Sequence, residues 1–154
     1  MVQEQIKVCP VVTRVRDGQW ELLLFQHPLA GVQLVKGTLE LEDASIESAA
    51  CREQAEESGI QAVDSTSDLG IWHSGYQGQI WHLVHCHCSQ RLPDQWGFHT
   101  VDDGGHDFAF FWYVLRPSVG NDHGTLAPLP FACYPVFQRA IQTISTRLGG
   151  CLHE

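Results

Sequence analysis

Residues 45 to 59, SIESAACREQAEESG, constrain the fold more than any other stretch of this chain. Ile46, Ala49, Ala50 and Ala55 place small or apolar residues at helical spacing, and either Asp43 or Ser45 supplies an N-cap. Gly59 stands where a left-handed stop belongs. This helix must fit among runs that read as strands. IKVCPVVTRV (6–15) and WELLLFQ (20–26) flank Asp17-Gly18, a strong hairpin signal. After the turn residues HPLAG, the segment VQLVKGTLELE alternates in part at Val32, Leu34, Leu39 and Leu41, which predicts a third strand. LGIWHS (69–74) and QIWHLVHCHC (79–88) predict strands around a turn, and DFAFFWYVL (107–115) another, stopped by Pro117. Residues 118–130 are loop by composition. From about Tyr134 to Leu148, an apolar face of Phe137, Ala140, Ile141, Ile144 and Leu148 predicts a second helix, closed by Gly149-Gly150.

Strands, helix, strands, helix is the order of an α/β (α+β) layered domain with a mixed sheet between helices, not of a regularly alternating parallel fold. The 154 residues, 44% of them hydrophobic, suffice for one domain spanning 1–154. No repeats or low-complexity tracts interrupt it.

Nine Lys and Arg face eighteen Asp and Glu, a formal net charge of -9. Such a chain repels phosphate backbones, and no basic run offsets this, so duplex nucleic acid is not an expected partner. The opening MVQEQIKVCPVV lacks a signal-peptide pattern, and no apolar run approaches the roughly 18 residues of a membrane span, so the expectation is a cytoplasmic protein without a membrane partner. In that setting Cys9, Cys51, Cys86, Cys88, Cys133 and Cys151 are expected to be reduced thiols, most of them buried, with Cys151 accessible.

On the first helix Glu53, Glu56 and Glu57 fall at i, i+3 and i+4, within an arc of roughly 100°. Two explanations compete. An acidic solvated helix face is common, although like charges at this spacing cost about a few tenths of a kcal/mol and acids late in a helix oppose its dipole. Alternatively a hard divalent cation, Mg²⁺ or Mn²⁺, offsets the repulsion, since such ions favour carboxylate and carbonyl oxygens. Arg52 is the single cation between Lys36 and Arg91.

The stretch KGTLELEDASIESAACREQAEESGI, Lys36 to Ile60, resembles the Nudix box of the MutT-like hydrolases: Gly, five residues, Glu, seven residues, Arg-Glu, hydrophobic, any, Glu-Glu, any, Gly, hydrophobic. Arg52, Glu53, Glu56, Glu57, Gly59 and Ile60 match its second half; Lys36-Gly37 and Glu40 match its first. Gly37 to Arg52 is one residue longer than the pattern, Ala44 stands eight before Arg52, and Gln54 replaces a hydrophobic residue. Glu42 or Asp43 is left to take the role of the missing acid.

The resemblance implies a Nudix-like α/β/α sandwich and a metal-dependent pyrophosphohydrolase. Its substrate would be a nucleoside diphosphate linked to another group. It implies Mg²⁺ or Mn²⁺ held by Glu53, Glu56 and Glu57, with the Gly37 carbonyl and Glu40 completing the sphere. Glu53, Arg52 and Glu57 are then the catalytic set, Arg52 orienting a carboxylate and Glu53 acting either as ligand or as base through water. The expected partner is a nucleotide-type small molecule; a homodimer is compatible with it. Rival readings are a catalytically impaired nucleotide-binding or sensor module of the same fold, and a non-enzymatic interaction domain.

Elsewhere, HTVDDGGH (99–106) is either an Asp-Gly turn or a loop bringing Asp102, Asp103 or His106 to the metal face. His82, Cys86 and Cys88 alternate to the opposite side from His85 and His87, which favours strand packing over a zinc site. Trp72, Trp81, Phe110, Phe111, Trp112 and Tyr113 are expected mainly in the core, with one or two facing a ligand.

Overall fold

The computed structural model describes residues 5–101, 104–115 and 127–152. Expectations for the N-terminal tetrapeptide, for Asp102 and Asp103, for Pro117 and most of the 118–130 loop, and for the side chain of Cys151 lie outside the described residues.

β1 (Gln5–Arg16) and β2 (Gln19–His27) form the expected hairpin, with Arg16 opposite Gln19. Asp17 and Gly18 both take positive φ, 53° and 75°, the signature of the turn whose twist matches its strands. β3 (Gly31–Gln33) pairs with β2, and β4 (Gly37–Thr38) with β1. α1 (Ile46–Ser58) follows, then β5 (Ser65–His73), β6 (Gln79–His87), β7 (Trp96–Thr100), β8 (His106–Leu115) and α2 (Pro135–Leu152). The sheet order is β5-β6-β1-β2-β8-β7; β1 and β6 run parallel and its other pairs antiparallel.

β1 divides its length between partners. Its first part, Gln5 to Val12, lies against β6, and its end, Thr13 to Arg16, against β2. Residues 8–12 are therefore covered on both faces and read as the continuous apolar run VCPVV. One face carries Cys9, Val11, Leu22, Leu24, Trp81, Leu83 and Leu115 against α2, which contributes Phe137, Ala140, Ile141, Ile144 and Leu148, the predicted stripe. Each large aliphatic buried there contributes about 1.5–3 kcal/mol. The other face carries Val12, Leu23, Phe25, Val84, Cys86, Phe108 and Phe110 against Ala50 of α1 and Ile60 beyond it. The result is the helix, sheet, helix layering expected.

Several expectations need correction. The third strand breaks into β3 and β4, because the chain leaves β2 to pair with β1 and residues 34–36 bridge the two. α2 continues through Gly149-Gly150 to Leu152; two glycines in a last turn cost about 1 kcal/mol each and do not force a stop. β7 had no clear alternating signal and forms by pairing with β8. Among the described cysteines, all free, Cys9 and Cys86 are fully buried while Cys51, Cys88 and Cys133 are half-buried. Burial pushes the Cys9 and Cys86 thiols up to about 12, which keeps them protonated and inert. Among the described residues, no helix is long and apolar enough to cross a membrane.

Candidate metal and catalytic site

α1 starts where its cap dictates. Ser45 is extended, at φ -161° and ψ 169°, and its hydroxyl accepts from the Ser48 backbone N–H at 3.0 Å, so the cap is Ser45 and not Asp43. Gly59 ends the helix at φ 80°, and its N–H donates to the Ala55 carbonyl. Gln54, in place of a hydrophobic residue, is buried but satisfied: its amide donates to the Ser58 hydroxyl at 2.6 Å, which in turn donates to the Gln54 carbonyl. A self-contained polar pair thus fills a core position at little cost.

The helix presents its three acidic residues unequally. Glu53 and Glu57 are buried, at 6% and 9% exposure, whereas the Glu56 side chain remains 48% exposed. This is not a solvated acidic face. Burying a carboxylate is costly unless it is paired, so two of them on successive turns must be held for a reason.

β4 supplies the facing wall. Val8 of β1 lies opposite Gly37, which fixes the backbone at Gly37 against α1. A Cβ built on Gly37 would stand 1.9 Å from the Glu53 carboxyl carbon. Only glycine lets the carboxylate occupy that position.

Arg52 binds the loop to the helix. Its Nε and Nη2 donate to the two oxygens of Asp43, each at 2.8 Å, a bidentate pair. Nη2 also donates to the Thr38 carbonyl at 3.1 Å, and Nη1 to Glu53 Oε1 at 2.9 Å and Glu56 Oε2 at 3.2 Å. Glu40, half-exposed, lies 3.7 Å from Nη1. The Arg52 guanidinium, aided by the Glu40 N–H, holds the Asp43 carboxyl down at about 2, and the Asp43 carboxylate raises the Arg52 pKa in return.

Of the two candidate acids it is Asp43 that pairs with Arg52. Five residues separate it from Gly37, the spacing of the box, so the additional residue lies between Asp43 and Arg52, at the entry to α1.

The donor set on this surface consists of hard oxygens: Glu53, Glu56 and Glu57 on α1, with Gly37 and Glu40 opposite. Oxygens of this kind are those that Mg²⁺ or Mn²⁺ favours, and the glycine leaves room for the Glu53 carboxylate. Among the described residues no three His, Cys, Asp or Glu side chains converge as they would around a bound ion. Arg52 occupies the Glu53 and Glu56 carboxylates instead. His106 sits beside His27, with ring centroids 4.6 Å apart. His82, His85 and His87 bond to Asp68, Thr13 and Ser67, each at 2.8 Å.

Sequence reading gave Lys36 no role beyond the box. Its ammonium enters an aromatic cage, 4.7 Å from the Trp81 ring centroid and 5.5 Å from those of Tyr76 and Phe137, and donates to Gln79 Oε1 at 2.9 Å. The cage residues come from distant parts of the chain, so no local pattern could have announced it.

Comparison with known families matches residues 6–124 to the NUDIX domain. The chain belongs to the Nudix family. No curated protein matches it. Among solved structures, a MutT/nudix family protein from Enterococcus faecalis is similar at 18% identity and a TM-score of 0.64, over 95% of this chain and 62% of that one. The NUDIX domain of Shewanella oneidensis NrtR, complexed with ADP ribose, aligns at 17% identity and a TM-score of 0.63, over 95% and 89%. A MutT NUDIX hydrolase from Burkholderia pseudomallei aligns at 21% and 0.58, over 92% and 98%. The chain thus spans less than two thirds of the Enterococcus protein, and at these identities the likeness carries the fold.

Proposed function

We propose that this Nudix domain is a divalent-cation-dependent pyrophosphohydrolase that cleaves the diphosphate of a nucleoside diphosphate linked to another group. The observation that carries this reading is the burial of Glu53 and Glu57 on α1, with Glu53 against a glycine that alone leaves room for its carboxylate. Glu53, Glu56 and Glu57 would hold Mg²⁺ or Mn²⁺, with the Gly37 carbonyl and Glu40 from the facing loop. The ion would neutralise diphosphate charge and acidify the attacking water. Water oxygen bonds to one phosphorus, the bridging P–O bond breaks, and the leaving phosphate takes the electron pair. Glu53 would either ligate the ion or take the water proton through an intervening water. Arg52, anchored by Asp43, keeps the Glu53 and Glu56 carboxylates aimed, which is a positioning role. A nucleotide-type ligand is in keeping with the ADP ribose carried by the similar NrtR domain.

Glu57→Gln and Glu53→Gln should abolish Mg²⁺-dependent release of nucleotide product while the thermal midpoint stays within a few degrees of wild type. Full activity in Glu57→Gln refutes the assignment. One observation favours a second reading, a binding module without turnover: Arg52 engages two of the three ligand carboxylates. That reading requires calorimetric nucleotide binding with no product under Mg²⁺ or Mn²⁺. A plain interaction domain would show no thermal shift with either ion.

A further inference from the structure

Two cavities meet at the loop that leads from β6 to β7. One, of about 370 Å³, is lined by Arg14, Arg16, Arg91, Asp94 and Trp112 among others. The second, of about 750 Å³, is lined by Ile60, Pro93, Trp96 and Phe98 among others. Gln90, Arg91 and Leu92 line both, so a basic cavity is joined to an apolar one. Neither belongs to the metal face. Val8 of β1 lies opposite Gly37, and Arg14 stands further along the same strand, about 20 Å away at about 3.3 Å per residue.

The chain carries a formal net charge of -9, yet the basic cavity brings three arginines around one aspartate. Asp94 serves two of them with a single oxygen: Nη1 of Arg14 and Nη1 of Arg16 donate to its Oδ1, at 2.8 and 2.7 Å. Its side chain is 53% exposed. Arg14 is held further by Glu21, at 2.6 Å, and lies over the Trp112 ring, 4.4 Å from its centroid. Among the described residues Arg91 has no ion pair. At physiological ionic strength charges more than about 8 Å apart are largely screened, so this local excess of cations outweighs the acidity of the chain as a whole. The cavity favours carboxylates beyond the one it holds.

β7 decides between a small anion and a polypeptide. It is the last strand of the sheet, and among the described residues nothing pairs with its outer edge. Its five residues include no proline, and its register with β8 is unbroken. The opposite edge strand, β5, is interrupted by a register shift between Asp68 and Gly70, an irregularity that discourages further pairing. Trp96 and Phe98 both face α1: Phe98 packs against Gly59, and Trp96 stacks on Phe110 and donates from its indole to the Ser58 carbonyl. A chain added to β7 would lay alternate side chains on that same face, over the apolar cavity, while its backbone bonds along the edge.

We propose that this surface docks an extended acidic segment of a protein partner. The segment adds a strand to β7, places an aliphatic side chain in the apolar cavity, and sets carboxylates on Arg91 and Arg16. Asp94 holds the carboxylate position in the free domain, and an acid of the partner competes with it. The docking surface is independent of the pyrophosphohydrolase reading.

The test is fluorescence polarisation of a labelled peptide, Glu-Asp-Thr-Leu-Thr-Asp-Glu, titrated with the intact chain. Replacing its acids by Gln and Asn should weaken binding roughly tenfold, as should replacing its Leu by Ser. Arg91→Gln should weaken binding roughly threefold and the Arg16→Gln, Arg91→Gln double variant roughly tenfold. Asp94→Asn keeps the acceptor oxygen without the charge and should strengthen binding roughly threefold. Arg16, Arg91 and Asp94 are all exposed, so these variants should fold. Amide exchange in β7 should slow on binding, and of two peptides N-methylated on alternate residues one should lose affinity while the other keeps it. No peptide binding, equal affinity for the acidic and amidated peptides, or an unchanged Kd in the double variant overturns the proposal. So does binding in which β7 exchange is unchanged and both N-methylated peptides keep their affinity. If inorganic phosphate displaces the peptide at equal concentration, the cavity is a small-anion site and the docking reading falls.

Discussion

Gly37→Ala tests the site at its tightest point. Gly37 lies outside the left-handed region of backbone space, so alanine can adopt its conformation, and the perturbation is confined to one methyl group. That methyl would stand 1.9 Å from the Glu53 carboxyl carbon and 2.1 and 2.2 Å from its oxygens. The carboxylate must retreat by roughly 1.5 Å, the difference from the 3.4 Å at which ordinary contact begins. A misplacement of about 1 Å in a catalytic constellation can cost about 100-fold, or about 2.7 kcal/mol of barrier. Mg²⁺-dependent kcat should therefore fall about 100-fold or more. Retreat also breaks the 2.9 Å bond from Arg52 to a buried carboxylate, which costs about 1–3 kcal/mol of stability. In a Glu53→Ala background the space is vacant, and Gly37→Ala should cost almost nothing more in chemical denaturation. Wild-type turnover in Gly37→Ala, or equal destabilisation in both backgrounds, would show that the glycine is not there for Glu53.

Further predictions concern geometry and titration. Asp43→Asn should lower kcat, since an amide cannot accept both Arg52 donors, and Arg52→Lys should do the same because lysine has no planar fork. The folded pKa of Asp43, about 2, lies below the ordinary 3.8, so its contribution to stability is complete above pH 3.8 and is lost as pH falls towards 2. Asp43→Asn should flatten the denaturation free energy across that window. Burial, and then the neighbouring His87, push His85 down to about 4 from the usual 6.5. Stability should therefore decline as pH drops from 6.5 to 4, by up to about 3 kcal/mol from this residue, and His85→Gln should remove that slope in denaturant titrations.

Much of the architecture could be read locally. Asp17-Gly18 announced its hairpin because both residues tolerate positive φ, and Gly59 announced the end of α1 for the same reason. The stripe from Phe137 to Leu148 marked the face that α2 buries. Errors arose where pairing overrode local preference. Residues 32–41 carry enough alternation for one strand, yet two partners divide them between β3 and β4. β7 is five residues with little signal of its own and depends on β8 for its form.

The amino-acid order by itself determined that three glutamates would share one face of a helix, because 3.6 residues per turn leaves no other outcome for positions 53, 56 and 57. It likewise determined the oxygen chemistry of that face and the glycine before it. Burial was decided by the tertiary structure: β4 and the sheet cover Glu53 and Glu57 and leave Glu56 towards solvent. The choice of Asp43 over Glu42 as the anchor of Arg52 was also tertiary, since it depends on how the capping turn returns to the helix. So was the environment of Lys36, whose rings at positions 76, 81 and 137 are brought together by the turn before β6, by β6 itself and by α2. Local periodicity fixes which side chains share a surface, but desolvation and charge pairing depend on what the rest of the chain lays against it.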